Sequence, residues 1–172
     1  YEFNSWLNAD FRVGTDFFNQ TSKGFDEVGN RGGGFTGALG NAVGGIVDAT
    51  DNVHTLNSYF TLNANKKFGD FALTASVGNE YNSNYSYNST VFGRTLVVPG
   101  FDNIKNSLNF APSTRTINTK LFGVFADVAL EYKKFLSVNV KARNDFSSTL
   151  SPENNSIFLS LIHISEPTRP RL

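Results

Sequence analysis

The chain contains no cysteine and no methionine, and only 17% of its residues are charged. Without cysteine, disulfide frameworks, zinc ribbons and thiol nucleophiles are excluded. Lysine plus arginine equals aspartate plus glutamate, 15 of each, so no net charge favours nucleic acid or an acidic substrate as a partner. No run of about 18 apolar residues could form a transmembrane helix, so a chain of this sequence could cross a membrane only as strands.

Residues suited to catalysis or metal binding are also scarce. The two histidines are His54 and His163, and one of them falls in a tail that we interpret below as non-native. A metal site needs clustered ligands, and a Ser/His/Asp arrangement needs a placed histidine. We therefore predict that the protein is not an enzyme and has no metal and no cofactor. The stretch from Gly32 to Gly37 matches G-x-G-x-x-G, but it lacks the preceding buried strand and following helix of a dinucleotide site. We interpret it as a glycine-rich loop.

Phenylalanine and tyrosine are abundant, 17 and 6 residues, and the main pattern is alternation of apolar and polar residues with a period of two. This pattern indicates strands with two different faces. It predicts five strands, at Trp6–Val13, Thr55–Asn65, Phe71–Gly78, Lys120–Tyr132 and Leu136–Asp145. Their lengths bracket the roughly 9–11 residues that a tilted strand needs to cross a bilayer.

The connections between these strands alternate between short and long. Lys66–Asp70 and Lys133–Lys134 are short, whereas the gaps from about Thr15 to Val53 and from about Asn79 to Asn118 are long. This rhythm is typical of outer-membrane barrels, which have tight periplasmic turns and long extracellular loops. Loops of that length are uncommon in a compact soluble domain. We predict an all-β fold, an antiparallel transmembrane β-barrel wall with about five strands in hairpins.

Aromatic residues flank both short turns: Phe68, Phe71, Tyr132 and Phe135. Such rings favour the level where hydrocarbon meets headgroups, and they form girdles around barrels. A second set lies in the segments predicted as long loops: Tyr81, Tyr85, Tyr87 and Phe101. These could stack on a sugar ring or contact a partner. Mutual packing within an ordered loop is an equal alternative.

The end of the chain has a different character. After Phe158 the sequence reads LSLIHISEPTRPRL, in which the alternation is expected to stop. Residues 159–169 resemble the in-frame translation of a transposase sequencing adapter. We predict that residues 1–158 are a partial barrel and that 159–172 are not native. The chain also begins without an initiator methionine, so we expect a longer protein.

Residues 141–158, KARNDFSSTLSPENNSIF, resemble the signature R-x-D-x-S-S-x-[LF] … N-x-x-x-F of SusC/RagA-family outer-membrane proteins. The matching positions are Arg143, Asp145, Ser147, Ser148, Leu150, Asn154 and Phe158. The family commonly has glycine where this chain has Phe146, and it typically continues F-P-S at the point where the tail begins. The segments LNANKKFGDFALTASVGNEY and KLFGVFADVALEYKKFLSVNVKARND resemble the family's paired wall strands.

The resemblance implies a TonB-dependent importer of a Gram-negative outer membrane. Such a protein is a barrel of about 22 strands, filled by a plug through which the TonB complex acts. A SusD-like surface lipoprotein caps it, and the substrates are oligosaccharides or peptides. Outer-membrane lipid would surround the wall, and nucleic acid is not an expected partner.

For the wall itself, we predict that Asn139, Lys141, Arg143 and Asp145 face the lumen and help to seat the plug, because charges facing lipid would be costly. Two alternatives stay open. One is another outer-membrane barrel, such as a siderophore-type receptor without a lipoprotein lid. The other is a surface β-sandwich used for adhesion or binding.

Overall fold

The computed structural model describes residues 1–30 and 43–165. The glycine-rich stretch from Gly32 to Gly37 lies outside these residues. Seven strands and one short 3-10 helix, at Ile104–Asn106, make up the described chain. The strands are β1 (Glu2–Asn4), β2 (Leu7–Asp26), β3 (Gly45–Phe68), β4 (Phe71–Leu96), β5 (Ser107–Tyr132), β6 (Leu136–Ser147) and β7 (Ser156–Ser165).

All seven strands belong to one sheet, in which the spatial order follows the chain order from β1 to β7. The strands are antiparallel and account for 79% of the described residues, so the predicted all-β antiparallel class is confirmed. Seven strands replace the five that were predicted. The two extra ones are the short β1 and the terminal β7, which pair with β2 and β6.

The four central strands are longer than the alternation indicated. β2 to β5 span 20 to 26 residues each and run into the segments predicted as long loops. The extensions are rich in Asn, Ser and Thr, and their few apolar residues, such as the adjacent Phe17 and Phe18, do not alternate regularly, so they carry no period-two signal. Their amides pair across strands instead, as Asn19 does with Asn52 and Asn88 with Asp51. The remaining long connections run from Asp26 to Gly45 and from Leu96 to Ser107, so the long–short rhythm persists in reduced form.

The predicted end of the alternation after Phe158 was wrong. β7 continues to Ser165 and pairs with β6 along its whole length, from Ser156 opposite Phe146 to Ser165 opposite Ser137. The reason is local: Ile162 and Ile164 suit a strand, and the edge of β6 supplies backbone partners. The non-native origin of residues 159–172 stays a prediction, and residues 166–172 lie outside the described part.

The chain divides into two compact units, each crossed by β2 to β5. The first contains Tyr1–Thr15, Thr55–Ser83 and the described chain from Thr119 onward. The second contains Asp16–His54 and Asn84–Asn118.

The sheet of the first unit has two chemically different faces. Residues directly opposite each other in an antiparallel pair share a face, and the β5–β6 register sets Val124, Ala126, Val128 and Leu130 on the same side as Asn144, Ala142, Val140 and Val138. We call this side the apolar face. The other side, the polar face, carries Asp127 opposite Lys141 and Gly123 opposite Asp145.

Almost nothing covers the apolar face in the described residues. Among the described residues the buried hydrophobic side chains are Ile46, Val47 and Leu96, and all three belong to the second unit. In the first unit Val124, Val128 and Val140 each remain about 40% exposed. A soluble sandwich would pack such side chains against a second sheet. The single sheet of the described residues provides none, which disfavours the sandwich alternative.

Candidate functional site: the polar face of the first unit

Arg143 lies at the centre of a charged network on the polar face. Its Nε donates to both carboxylate oxygens of Asp145, at 2.8 and 2.9 Å, and its Nη2 lies 3.1 Å from Oε2 of Glu80. The Nε hydrogen bond is shared between the two oxygens of Asp145, and the separate contact of Nη2 with Glu80 further restricts the orientation of the guanidinium group. The network therefore joins β6 to β4, two strands away.

Gly123, on the intervening strand β5, makes this link possible. A Cβ atom built there would overlap Oδ1 of Asp145 and would lie 2.9 Å from Nη2 of Arg143. Any side chain at this position would therefore have to displace the pair. The alternation pattern did not single out Gly123, because a glycine carries no information about which face is polar.

A second ion pair lies nearer the short turns. Nζ of Lys141 is 2.6 Å from Asp127, which is directly opposite it, and Nδ2 of Asn139 donates to the same carboxylate at 3.1 Å. The four residues predicted to face the lumen share one face: Asn139, Lys141, Arg143 and Asp145. Asn139 and Lys141 contact the same carboxylate, and Arg143 and Asp145 contact each other. Which compartment this face meets stays a prediction.

An aromatic pair lies on the same polar face and was not predicted. The rings of Tyr59 and Phe125 stack with centroids 5.8 Å apart and planes inclined by 21°. Phe125 lies over Gly78 of the neighbouring strand, where an added Cβ would be 2.8 Å from its Cζ. The sequence signal was a phenylalanine among polar neighbours, two strands from a tyrosine on the corresponding face. The sequence alone did not distinguish Phe125 from the other residues of its face.

Amides and hydroxyls extend the polar face toward β2. Asn63 donates to Asn8 at 3.1 Å and accepts from Ser76 Oγ at 2.7 Å, so one side chain links three strands. Farther along, a depression of about 330 Å³ includes Arg12 and Tyr59 in its lining. The face can therefore offer many hydrogen bonds and a ring surface to a polar solute or protein segment.

The short turns carry the predicted aromatic residues, which contact one another. Phe68 and Phe71 stack at 5.9 Å, and Phe71 lies 4.9 Å from Tyr132 of the next hairpin. Phe135 is 55% exposed. Trp6 joins this set from the β1–β2 turn, with Nζ of Lys66 4.5 Å above its ring.

The signature residues that suggested a family have structural contacts at the β6–β7 connection. Ser148 N–H donates to the carbonyl of Lys120 at 2.9 Å, and its hydroxyl accepts from the Lys120 N–H at 2.8 Å. Ser147 N–H donates to the carbonyl of Asn155, and Asn154 N–H to that of Ser151, both at 2.9 Å. Ser148 thus joins the β6–β7 connection to Lys120, the residue of β5 just before its pairing with β6 begins.

The predicted contact aromatics are not grouped as expected. Tyr81, Tyr85 and Tyr87 lie on strand β4 and not in a loop, because that strand continues to Leu96. Tyr81 belongs to the first unit and Tyr85 and Tyr87 to the second. Phe101 does lie in a connection and is 53% exposed.

Tyr85 lines a separate depression within the second unit, of about 350 Å³, with Phe17 and His54. The rings of Phe17 and His54 meet edge-on at 6.4 Å. His54 is therefore an aromatic neighbour in an apolar-lined hollow. Within residues 1–30 and 43–165, no group of three or more potential metal ligands occurs.

The connection from Val97 to Asn106, in the second unit, is held firmly by side chains. Asn106, 5% exposed, donates to the carbonyls of Val98 and Phe101, both at 2.8 Å. Nζ of Lys23 lies 2.9 Å from Asp102, and this hydrogen-bonded carboxylate raises the pKa of Lys23 above its ordinary value. The connection is thus fixed to β2.

No helix among the described residues is long and apolar enough to cross a membrane. No protein-family model matches the chain, and no curated protein matches it.

Solved structures do resemble the chain. It is similar to the structure of the RagAB peptide transporter with a TM-score of 0.78 and 16% identity, over 92% of this chain and 18% of that one. The RagAB peptide importer in its "open-open" state gives 0.72 and 17% identity, over 92% and 17%. The "closed-closed" state gives 0.74 and 17% identity, over 92% and 18%. The chain thus spans less than a fifth of the chains that it matches, and the likeness at this identity concerns the fold.

Proposed function

We propose that the chain is part of the wall of a TonB-dependent importer of the SusC/RagA type, in the outer membrane of a Gram-negative bacterium. The importer carries oligosaccharides or peptides inward. It works with a SusD-like surface lipoprotein and is driven by the TonB complex through a plug inside the barrel. Residues 1–158 belong to this wall.

The observation that carries the proposal is the single sheet with one uncovered apolar face and one hydrogen-bonded polar face. Contact of this apolar face with water would be energetically unfavourable, and large contiguous apolar patches are rare on the surfaces of soluble proteins. Lipid removes that cost and at the same time requires the backbone to be paired within the sheet. The aromatic cluster of Phe68, Phe71 and Tyr132 at the short turns fits the level of the headgroups.

Two further observations favour the importer over other barrels. The fold resembles that of the RagAB peptide transporter over 92% of this chain. The signature from Arg143 to Phe158 resembles that of the SusC/RagA family, and its serines make specific contacts at the β6–β7 connection. A siderophore-type receptor is the alternative within the same architecture, and it would lack the lipoprotein partner.

In this proposal the polar face lines the lumen. Asn139, Lys141, Arg143 and Asp145 then seat the plug, with Arg143 and Lys141 held in place by carboxylates at 3.1 Å or less. The physical reason is that a charge on the lipid side costs about 2–4 kcal/mol at the middle of the bilayer. On the external side, Tyr81, Tyr85, Tyr87 and Phe101 meet substrate or lipoprotein.

Membrane extraction tests the proposal. The full-length protein should stay in the membrane fraction through high salt and alkali and should leave only with detergent. Release without detergent would refute the barrel. Proteolysis of whole cells tests the orientation: cleavage between Lys66 and Asp70 with the second unit protected would reverse it. Contiguous DNA tests the family, through a plug-coding region upstream and a SusD-like gene nearby.

A further inference from the structure

Four lysines lie at the two short turns of the first unit: Lys66, Lys67, Lys133 and Lys134. We call this group the lysine rim. Lys67, Lys133 and Lys134 line a cavity of about 370 Å³ between the β3–β4 and β5–β6 turns, together with two acidic residues, Asp70 and Glu131. Within the described residues, only Lys133 of the four has a carboxylate within 4 Å, that of Asp70 at 3.3 Å. The rim therefore carries positive charge beyond what its own ion pair neutralises.

The β5–β6 turn holds two of these lysines in an unfavourable backbone conformation. Lys133 and Lys134 have φ values of 49° and 55°, and the turn is closed by a 2.9 Å hydrogen bond from Phe135 N–H to the Tyr132 carbonyl. Positive φ at both central residues is the type I′ arrangement, for which Asn-Gly is strongly preferred. Lysine is disfavoured there because its Cβ crowds the backbone. Strain of this kind is kept where a side chain has a function.

Packing does not account for the strain. The side chain of Lys133 is 54% exposed, and Lys134 is also exposed. The ion pair with Asp70 gives a reason for Lys133 but none for Lys134. Both lysines place a positive charge just beyond Tyr132, the last residue of β5.

Each side of the rim is bordered by aromatic rings. Nζ of Lys66 lies 4.5 Å above the ring of Trp6, and Nζ of Lys133 lies 5.4 Å from that of Tyr132. Rings of this kind settle between hydrocarbon and headgroups, and lysines beside them reach toward the headgroup charges. Each of these two lysines therefore places its ammonium group at the level of the lipid phosphates, next to an aromatic ring at the edge of the hydrocarbon.

We propose that the lysine rim binds the phosphate groups of anionic phospholipids in the leaflet that surrounds the short turns. This inference rests on the proposed membrane location and adds a preferred lipid class to it. Charge complementarity supports a phospholipid occupant, because the phosphate lies at the level where the rings place the lysines. Attraction to an anionic leaflet is worth about fivefold in affinity for each lysine near the surface.

The test compares partition of the full-length protein into vesicles of pure phosphatidylglycerol and of pure phosphatidylcholine, measured as the fraction of protein that floats with the vesicles in a density gradient. The key variant is K133N/K134G, which removes two charges and gives the turn its favoured Asn-Gly sequence. Its stability should equal or exceed that of the parent. We expect the preference for phosphatidylglycerol to fall about 25-fold. The control K105Q/K120Q removes two lysines away from the rim and should change the preference less than about twofold.

The outcomes separate the two proposals. If the chain enters both vesicles equally well, or if K133N/K134G keeps the parent's preference, the lysine rim does not select lipid and only this inference fails. If the chain enters neither vesicle, the membrane location fails with it. If inorganic phosphate, at an ionic strength matched with chloride, abolishes the preference, the site binds free phosphate and the lipid assignment is overturned.

Discussion

Placing one arginine on either face of the same strand tests the two-faced wall directly. Val128 and Ala129 are neighbours on β5, opposite Val140 and Asn139 respectively. Val128→Arg therefore puts a charge on the apolar face, and Ala129→Arg puts the same charge on the polar face, between Asp127 and Glu131 of the same strand. The two variants add the same side chain at adjacent positions.

The magnitude follows from the depth of Val128. It lies four residues from Tyr132 along β5, which at about 3.4 Å per residue and a tilt of about 40° is about 10 Å from the aromatic level. The apolar band of such barrels is about 25 Å tall, so Val128 lies near its middle. Val128→Arg should then lower the free energy of unfolding by about 2–4 kcal/mol. Ala129→Arg should change it by less than about 0.5 kcal/mol.

The assay is equilibrium unfolding in urea of the full-length protein folded into phosphatidylcholine vesicles, followed by the circular dichroism of its β-sheet. A large loss for Val128→Arg with little change for Ala129→Arg supports a lipid-facing apolar side. Equal losses would refute the reasoning, because they would mean that the two faces do not differ in environment. A greater loss for Ala129→Arg would also refute it, because it would mean that the polar face is the one removed from water.

Three further predictions concern single contacts. Gly123→Ala should cost about 1–3 kcal/mol in urea unfolding, because its Cβ displaces the Arg143 pair, whereas Gly14→Ala, with nothing within 4 Å of its Cβ, should cost less. Asn106→Ala removes two donated hydrogen bonds from a buried side chain and should lower protection of the second unit in hydrogen exchange by at least tenfold, about 1.4 kcal/mol. Because the pKa of Lys23 is raised, its contribution is complete below its ordinary pKa of about 10.5 and is lost as pH rises through the higher folded value. Slowly exchanging backbone amides near Asp102 should lose protection from hydrogen exchange only as the pH rises through the folded-state pKa of Lys23.

Each of these has an outcome that would contradict it. Equal effects of the two glycine substitutions would mean that the network adapts without cost. Unchanged protection in Asn106→Ala would mean that the connection is held by other contacts. For the alkaline range the control is Lys23→Gln, which should show low protection at every pH; a pH-dependent loss in this variant would assign the effect to another group.

The faces of the wall could be predicted from the sequence because the two sides differ in polarity. From Phe122 to Leu130 every second residue is apolar, and the structure sets them on one side. The outer halves of the strands could not be predicted in this way. In NYSYNST of β4, polar residues occupy both faces, and strand formation depends on partners in the neighbouring strand β3, as Asn88 has in Asp51.

The candidate site was predictable in part for a similar reason. Lys141, Arg143 and Asp145 occupy every second position of a strand whose sequence alternates from Leu136 to Ala142, so their common face followed from the period of a strand. Their partners did not, because Glu80 lies 63 positions from Arg143 in the chain. The role of Gly78 beneath Phe125 depends on packing between strands, which a linear pattern does not contain.

The unbroken register of β5 and β6 has a consequence for the order in which the sheet assembles. Twelve successive residue pairs, from Leu121 opposite Ser147 to Tyr132 opposite Leu136, are joined by the three residues between them. Closing so short a loop costs little entropy, and contacts near in sequence form quickly. We expect this hairpin to form early and to serve as the template on which β4 and later neighbours align, an order that pulsed hydrogen exchange during refolding would reveal. A slip of one residue would put Asp127 and Lys141 on opposite faces and break their ion pair, so we expect misaligned hairpins to be less stable than the aligned one.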